Sequence, residues 1–241
     1  MRNVYYFGTC LVDLFYPSAG MAGIKLLEQA GCKVIYPNEQ SCCGQPPFNS
    51  GFREEAAAVA INQLKLFQES HDVVVPSGSC AGMIKHHWPD LLRGTEHEAA
   101  ANALAARTYE LGEYLVDHLK VQLSDQGEPT TIVLHTSCSA RREMGVAEQG
   151  KALLAQLSNV TVEVAAYETE CCGFGGTFSV KQPEISAAMA EDKTTHLAAV
   201  GADTFVCGDS GCLMNLSGTL EKRGIQLDSS HLYDFIWERV Q

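Results

Sequence analysis

The chain has 241 residues, of which 46% are hydrophobic and 19% charged, a composition typical of a globular protein with enough apolar material for two small cores. Its formal net charge of −12 argues against nucleic acid as a partner, because phosphates require a basic surface. No apolar run approaches the roughly 18–20 residues that span a bilayer, and the N-terminus lacks the apolar core of a signal peptide. We therefore expect a cytoplasmic protein without a membrane span.

Strands and helices are predicted to alternate along both halves of the chain. In the first half the order is strand 4–7, helix 22–29, strand 33–36, helix 56–67 and strand 73–75. In the second half it is strand 131–134, helix 147–157, strand 160–166, a helix that starts at Pro183, and strand 204–206. The helix at Pro183 is expected to bury Ile185, Ala188 and Met189. This alternation predicts βαβ units and a mostly parallel sheet in each half.

The domain boundaries are predicted from the same comparison of the halves. An alanine-rich stretch at 94–120 is predicted to be a helical extension of the first half, with no equivalent in the second. The chain is expected to end with an extra strand at 225–227 and a closing helix at 231–240. We therefore predict an α/β fold of two internally repeated halves, residues 1–124 and 125–241.

Two Cys-Cys-Gly triplets stand in matching surroundings in the two halves. Each triplet has a lone cysteine upstream, with 31 intervening residues in the first half and 32 in the second. Each also has a downstream cysteine, in a glycine-containing turn after the third predicted strand. The predicted metal-ligand sets are Cys10, Cys42, Cys43 and Cys80 in the first half, and Cys138, Cys171, Cys172 and Cys212 in the second. Because loops after parallel strands converge at one edge of a sheet, each set is expected to meet in one pocket.

Four thiols per site match the ligand number of a [4Fe–4S] cluster, which takes one thiolate per iron. Adjacent cysteines suit a cluster because their side chains diverge, whereas a single tetrahedral zinc favours cysteines separated by two or more residues. The glycine after each pair permits a positive φ and a close approach of the backbone. We therefore expect one iron–sulfur cluster, of the [4Fe–4S] type, in each repeat.

Two other interpretations of the thiols stay open at this point. A metal-free thiol–disulfide oxidoreductase would use the vicinal cysteines directly, although the Cys-x-x-Cys motif of such enzymes is absent. A zinc-stabilised interaction module without catalytic activity is the third interpretation. No dinucleotide fingerprint or base-and-electrophile pair is recognisable, so we predict no catalytic residues and expect the chain to be inactive alone.

The cysteine spacing resembles the cysteine-rich CCG domain, which occurs, usually twice, in the cysteine-rich chain of heterodisulfide reductase and in the glycolate oxidase iron–sulfur subunit. The chain is similar to the short lactate-utilization members of this family, which have only two repeats. The matching stretches are 42–46, 49–51, 76–80, 135–138 and 171–181. The resemblance implies an iron–sulfur electron-transfer subunit that, with two partner proteins, oxidises L-lactate to pyruvate.

One departure from the family pattern concerns the last turn of each repeat. In heterodisulfide reductase this turn reads Cys-x-x-Cys, which gives five cysteines per site and a noncubane cluster. Here its first position is Ser77 in one repeat and Asp209 in the other. The sequence therefore leaves the cluster type open between cubane and noncubane, and leaves zinc at one of the sites as an alternative. We expect Ser77 and Asp209 to be hydrogen-bonding loop residues, the alternative being oxygen ligands.

Two further cysteines have no partner in the opposite repeat, and one histidine stands close to a predicted ligand. Cys32 begins a predicted strand and Cys207 ends one, so we expect both to be small buried side chains. His135 stands three residues before Cys138. A histidine at a strand end is commonly satisfied by backbone groups, and the alternative is that it tunes a cluster by hydrogen bonding.

Overall fold

Parallel strands form the centre of both halves of the protein. The computed structural model describes residues 2–241. The strands of the first half are β1 (Arg2–Tyr6), β2 (Cys32–Ile35), β3 (Asp72–Val75) and β4 (Thr108–Glu110). Those of the second are β5 (Thr130–His135), β6 (Val160–Glu163), β7 (Thr204–Cys207) and β8 (Asp228–His231). The sheet orders, β2-β1-β3-β4 and β6-β5-β7-β8, are the same, and every pairing is parallel. The predicted α/β fold with two repeated halves is confirmed.

Helices connect the parallel strands, as βαβ crossovers require. Those of the first half are Cys10–Phe15, Pro17–Gln29, Gln45–Asn49, Arg53–Leu64, Gly78–Gly82, Trp88–Leu91, Glu98–Ala106 and Leu111–Glu113, with π-helical turns at Met83–His87 and Tyr114–His118. Those of the second half are Cys138–Arg142, Ala147–Leu154, Phe178–Lys181, Pro183–Ala198, Ser210–Lys222 and Leu232–Val240. No helix within residues 2–241 has the length and apolarity needed to cross a membrane.

The central strands are buried on both faces, which explains their continuous apolar sequences. Val73, Val74 and Val75 of β3 are fully buried, and so are Phe205 and Val206 of β7. Three apolar clusters fill the interior. One of them contains residues of both halves, so the two repeats share part of their core.

The predicted helical extension at 94–120 is only partly correct. The helix Glu98–Ala106 lies within it, but residues 108–110 form β4, which pairs with β3 at the edge of the first sheet. The predicted lack of an equivalent in the second half does not hold for this strand, because β8 occupies the same edge beside β7. The alanine-rich pattern predicted helix throughout this stretch, whereas the three-residue strand β4 is stabilised by its pairing with β3.

The buried face of the helix Pro183–Ala198 also differs from the prediction. Ile185 and Ala188 are exposed. The residues that this helix buries are Ser186, Ala190, Lys193, Thr194 and Leu197. Three of the five are polar, so the apolar pattern pointed to the wrong side of the helix.

Candidate metal centres

The eight cysteines of the two predicted ligand sets come together at the carboxyl ends of the strands. In each half one cysteine begins a helix after the first strand, the triplet lies in a loop, and the fourth cysteine lies in a helix after the third strand. Hydrogen bonds link the four thiols within each set. The set of the first half is Cys10, Cys42, Cys43 and Cys80, and that of the second half is Cys138, Cys171, Cys172 and Cys212. All ten cysteines are free of disulfide bonds.

The two sites repeat each other in geometry as well as in sequence. The Sγ atoms of Cys43 and Cys80 lie 3.2 Å apart, and those of Cys172 and Cys212 lie 3.0 Å apart. The second cysteine of each triplet is almost fully buried, with exposed fractions of 1% and 3%. Each site is therefore a preformed pocket of converging sulfur atoms.

The glycine of each triplet has the left-handed conformation expected from the sequence. The φ angles of Gly44 and Gly173 are 86° and 82°. Their backbone N–H groups donate to the Sγ atoms of Cys42 and Cys171, both at 3.4 Å. A Cβ at Gly173 would lie 2.8 Å from the Ser186 carbonyl oxygen, so a larger residue would displace the helix behind the triplet.

Two polar side chains that the sequence did not reveal hold the triplets in place. Trp88 Nε1 donates to the Cys43 carbonyl oxygen at 2.8 Å, and Asn215 Nδ2 donates to the Cys172 carbonyl oxygen at 2.7 Å. The two carbonyls are equivalent in the repeats, although the donors differ in type. These contacts have no signature in the sequence because their partners are 45 and 43 residues apart.

The loops before the triplets are also fixed by buried polar side chains. Gln63 exchanges hydrogen bonds with Ser41, accepting from its backbone N–H at 3.1 Å and donating to its hydroxyl at 2.8 Å. Lys193 donates from Nζ to the carbonyl oxygens of Tyr167 and Glu168 at 2.8 and 2.9 Å. Gln63 and Lys193 are 2% and 1% exposed. Gln63 and Lys193 could have been identified from the sequence, because each is a polar residue at a helix position that faces the core.

Within each set, one thiol ionises easily and its neighbours resist ionisation. Hydrogen bonds from Cys10 and then Cys43 lower the pKa of Cys42 to about 3. The pKa of Cys171 is lowered to about 2, chiefly by a hydrogen bond from Cys138. The same hydrogen bonds raise the pKa values of Cys10 and Cys138. A cationic centre among the sulfur atoms, such as a bound metal cluster, would favour ionisation of the thiols whose pKa values are raised.

The two sites lie side by side where the halves meet. We call this contact the seam; it is formed by residues 45–50 and 77–82 of the first half and 138–142, 174–177 and 209–211 of the second. A cavity of about 280 Å³ is lined by the first cysteine set, and one of about 170 Å³ by the second. Both cavities are bordered by Gln45, Ser79, Phe174, Gly176 and Asp209. The sites are thus separated by a thin shared wall.

The residues that occupy the position of the additional family cysteine lie at this wall, Ser77 lining the first cavity and Asp209 lining both. Ser77 and Asp209 are 3% and 5% exposed. The Asp209 carboxylate accepts hydrogen bonds from the Ser77 hydroxyl at 3.2 Å, the Ser79 backbone N–H at 3.0 Å and the Gly211 backbone N–H at 3.3 Å. Both side chains have the hydrogen-bonding surroundings expected of loop residues.

The two remaining cysteines lie in different places. Cys32 starts β2, at the amino end of the strand and within the shared apolar core. Cys207 ends β7, where its thiol hydrogen-bonds with Cys212, and its Sγ accepts from the Asp209 backbone N–H at 3.4 Å. Both are buried, as expected, but only Cys207 is next to a ligand set.

Two α/β repeats that each bring four thiols to the strand ends define a duplicated cysteine-rich protein. The CCG-type cysteine-rich domain matches the chain twice, over residues 4–85 and 132–217. Lactate utilization protein A of Shouchella clausii strain KSM-K16 is 41% identical over 230 residues, which cover 95% of this chain and 96% of that protein. Its counterpart in Geobacillus sp. strain WCH70 is 41% identical over 241 residues, with coverages of 98% and 100%. The chain belongs to the CCG cysteine-rich family and, within it, to the lactate utilization protein A group.

A solved structure shows the same fold in a more distant chain. A hypothetical protein from Helicobacter pylori superimposes with a TM-score of 0.67 at 11% sequence identity. The match covers 99% of this chain and 49% of that one. At this identity the likeness describes the arrangement of strands and helices alone.

Proposed function

We propose that the protein is an iron–sulfur electron-transfer subunit of a multi-protein system that oxidises L-lactate to pyruvate in the cytosol. The observation that carries the proposal is the pair of four-thiol sets at the seam. The relatives' name, lactate utilization protein A, supports lactate as the substrate of the system. The same resemblance supports two partner proteins.

The donor set fits an iron–sulfur cluster in each half. Four sulfur atoms converge in each pocket, which matches one thiolate per iron. Backbone N–H groups already point at Cys42 and Cys171, in the way that amides donate hydrogen bonds to the sulfur atoms around a cluster. In the first half the ligands would be Cys10, Cys42, Cys43 and Cys80. In the second they would be Cys138, Cys171, Cys172 and Cys212.

The residues around the sites are suited to transfer of single electrons. Iron–sulfur clusters, when bound, accept and release one electron at a time. Ser79, Phe174 and Asp209 line both cavities, so the two sites are adjacent. Among the residues that the structure describes, we find no base paired with an electrophile that would activate a hydroxy acid. The partners are therefore proposed to supply the dehydrogenation site.

Metal and sulfide analysis of anaerobically purified protein tests the proposal. We expect iron and acid-labile sulfide in equal amounts, with about eight of each per chain if both sites hold [4Fe–4S] clusters. Zinc without sulfide would instead support an interaction module. Neither metal, together with a reducible disulfide within a cysteine set, would support thiol–disulfide chemistry.

A further inference from the structure

His135 is a buried histidine without a hydrogen-bond partner. It ends β5 at the edge where the second cysteine set is assembled, and only 1% of its surface is exposed. Neither Nδ1 nor Nε2 has a partner among the residues that the structure describes. A buried polar group left unpaired is destabilising, so the imidazole lacks a partner that the polypeptide itself does not provide.

Two thiols of the second set lie close to the imidazole of His135. A ring nitrogen of His135 and the Sγ atoms of Cys172 and Cys212 all lie within 4.8 Å of one another, and all three residues are buried. A group bound by the Cys172 and Cys212 thiolates would therefore lie within reach of the imidazole. The expected satisfaction of His135 by backbone groups is therefore not observed.

The first site has no equivalent of this imidazole. Phe7 precedes Cys10 by three residues, just as His135 precedes Cys138. Phe7 is fully buried and packs against Phe67, with ring centroids 5.6 Å apart. A phenyl ring donates no hydrogen bond to sulfur, so this position offers a hydrogen-bond donor in the second repeat and none in the first.

We propose that His135 donates an N–H hydrogen bond to sulfur of the centre held by the second cysteine set and thereby makes the two centres unequal. The inference rests on the proposed function, because it requires a bound cluster. Four thiolates complete the coordination of four irons, which leaves the imidazole to act on sulfur as a positioning residue rather than as a ligand.

The imidazole offers the hydrogen-bond donor that this role requires. A neutral imidazole carries one N–H donor and one acceptor, so a single hydrogen bond to sulfur is available. Such a bond stabilises the more negative, reduced state of the centre and raises its reduction potential. The hydrogen bond from His135 is therefore expected to raise the reduction potential of the second centre.

Three variants test the proposal. His135→Phe copies the residue of the first site, and His135→Gln restores an N–H donor without an imidazole. His196→Phe is the matched control, because the Nδ1 of His196 is also buried without a partner but lies outside both cysteine sets. Iron and sulfide are measured for each, followed by reductive titration with electron paramagnetic resonance. We expect His135→Phe to keep its iron but to lower the potential of one centre, and we expect Gln to recover part of the shift.

Pulsed paramagnetic resonance of wild-type protein labelled with ¹⁵N-histidine keeps the test decisive even if His135→Phe loses its cluster. A weak histidine nitrogen coupling to one reduced centre supports the hydrogen bond. No such coupling, or unchanged potentials in an iron-replete His135→Phe, overturns the inference while the proposed function stands. A strong coupling typical of a metal-bound nitrogen overturns it in favour of direct ligation. Wild-type protein without iron and sulfide contradicts the proposed function itself.

Discussion

The Ser77 hydroxyl donates a hydrogen bond to the Asp209 carboxylate, 3.2 Å away across the seam. The two residues occupy the same position in their repeats, each starting the turn that carries the last cysteine of its set. Heterodisulfide reductase, whose cysteine-rich repeats these resemble, has cysteine at this position. In the present chain the position no longer offers a thiol to either site, and instead it joins the two halves between the sites.

Replacement of Asp209 by Ala is expected to destabilise the protein without removing iron. The change leaves the buried Ser77 hydroxyl and the Ser79 and Gly211 N–H groups without their acceptor, which costs about 1–3 kcal/mol. Urea-induced unfolding measures the loss. Asp203→Ala is the control, because the carboxylate of Asp203 makes comparable hydrogen bonds at an exposed position. Loss of iron at unchanged stability would show that Asp209 is a ligand instead.

Replacement of a triplet cysteine by Ala is expected to lower the iron content by about half. Cys43→Ala and Cys172→Ala each remove one thiolate from one set, and no neighbouring side chain replaces it. Cys32→Ser is the control, since Cys32 lies at the opposite end of its strand, and it should keep wild-type iron. Cys207→Ser, although closer to the second set, is also expected to keep its iron. Iron loss in Cys32→Ser equal to that in Cys43→Ala would make the ligand assignment wrong.

Replacement of Glu110 by Gln is expected to flatten the dependence of stability on pH. Burial raises the pKa of Glu110 from 4.5 to about 7, despite hydrogen bonds from Tyr233 and Gly112 that oppose the shift. Between pH 4.5 and 7 the folded state therefore keeps a proton on Glu110 that the unfolded chain has released. The proton's contribution to the free energy of unfolding is complete below pH 4.5 and is lost as the pH rises through 7. The wild-type protein should lose up to about 3 kcal/mol over that range relative to the variant.

Chemical denaturation at several pH values between 5 and 8 measures this difference. Glu98→Gln is a suitable control, since Glu98 accepts a hydrogen bond at an exposed position. Parallel stability curves for the wild type and Glu110→Gln would contradict the shifted pKa. The result also tests the link between the halves, because Tyr233 of the second half donates to the Glu110 carboxylate of the first.

The purified chain alone is expected not to oxidise L-lactate with artificial electron acceptors, even with its iron and sulfide intact. The described residues provide two thiol sets but no site that would abstract hydride from a hydroxy acid. Adding the two proposed partner proteins should give lactate-to-pyruvate turnover, and omitting this chain should abolish it. Sustained turnover by the iron-replete single chain would place a substrate site within it.

Most of the fold could be predicted because its signals are local. Apolar runs such as Val73 to Val75 identify a buried strand, and the spacing of Ala56, Ala60 and Leu64 identifies the buried face of a helix. The predictions were wrong where tertiary contacts outweigh local pattern. Residues 108–110 are a strand because they pair with β3, and Lys193 is buried because it holds the loop before a triplet.

The sequence by itself determined the internal repeat and the two sets of cysteines, because the spacing between ligands along the chain is a property of each repeat alone. Only the tertiary structure decided how the repeats meet. Ser77 and Asp209 are 132 residues apart in sequence, and the repeat makes their positions equivalent without bringing the two side chains into contact. Likewise, His135 is an ordinary strand-end residue until the triplet loop and the helix Ser210–Lys222 bring Cys172 and Cys212 to its ring. Such contacts depend on how separate strands and helices are oriented in space, which no local pattern encodes.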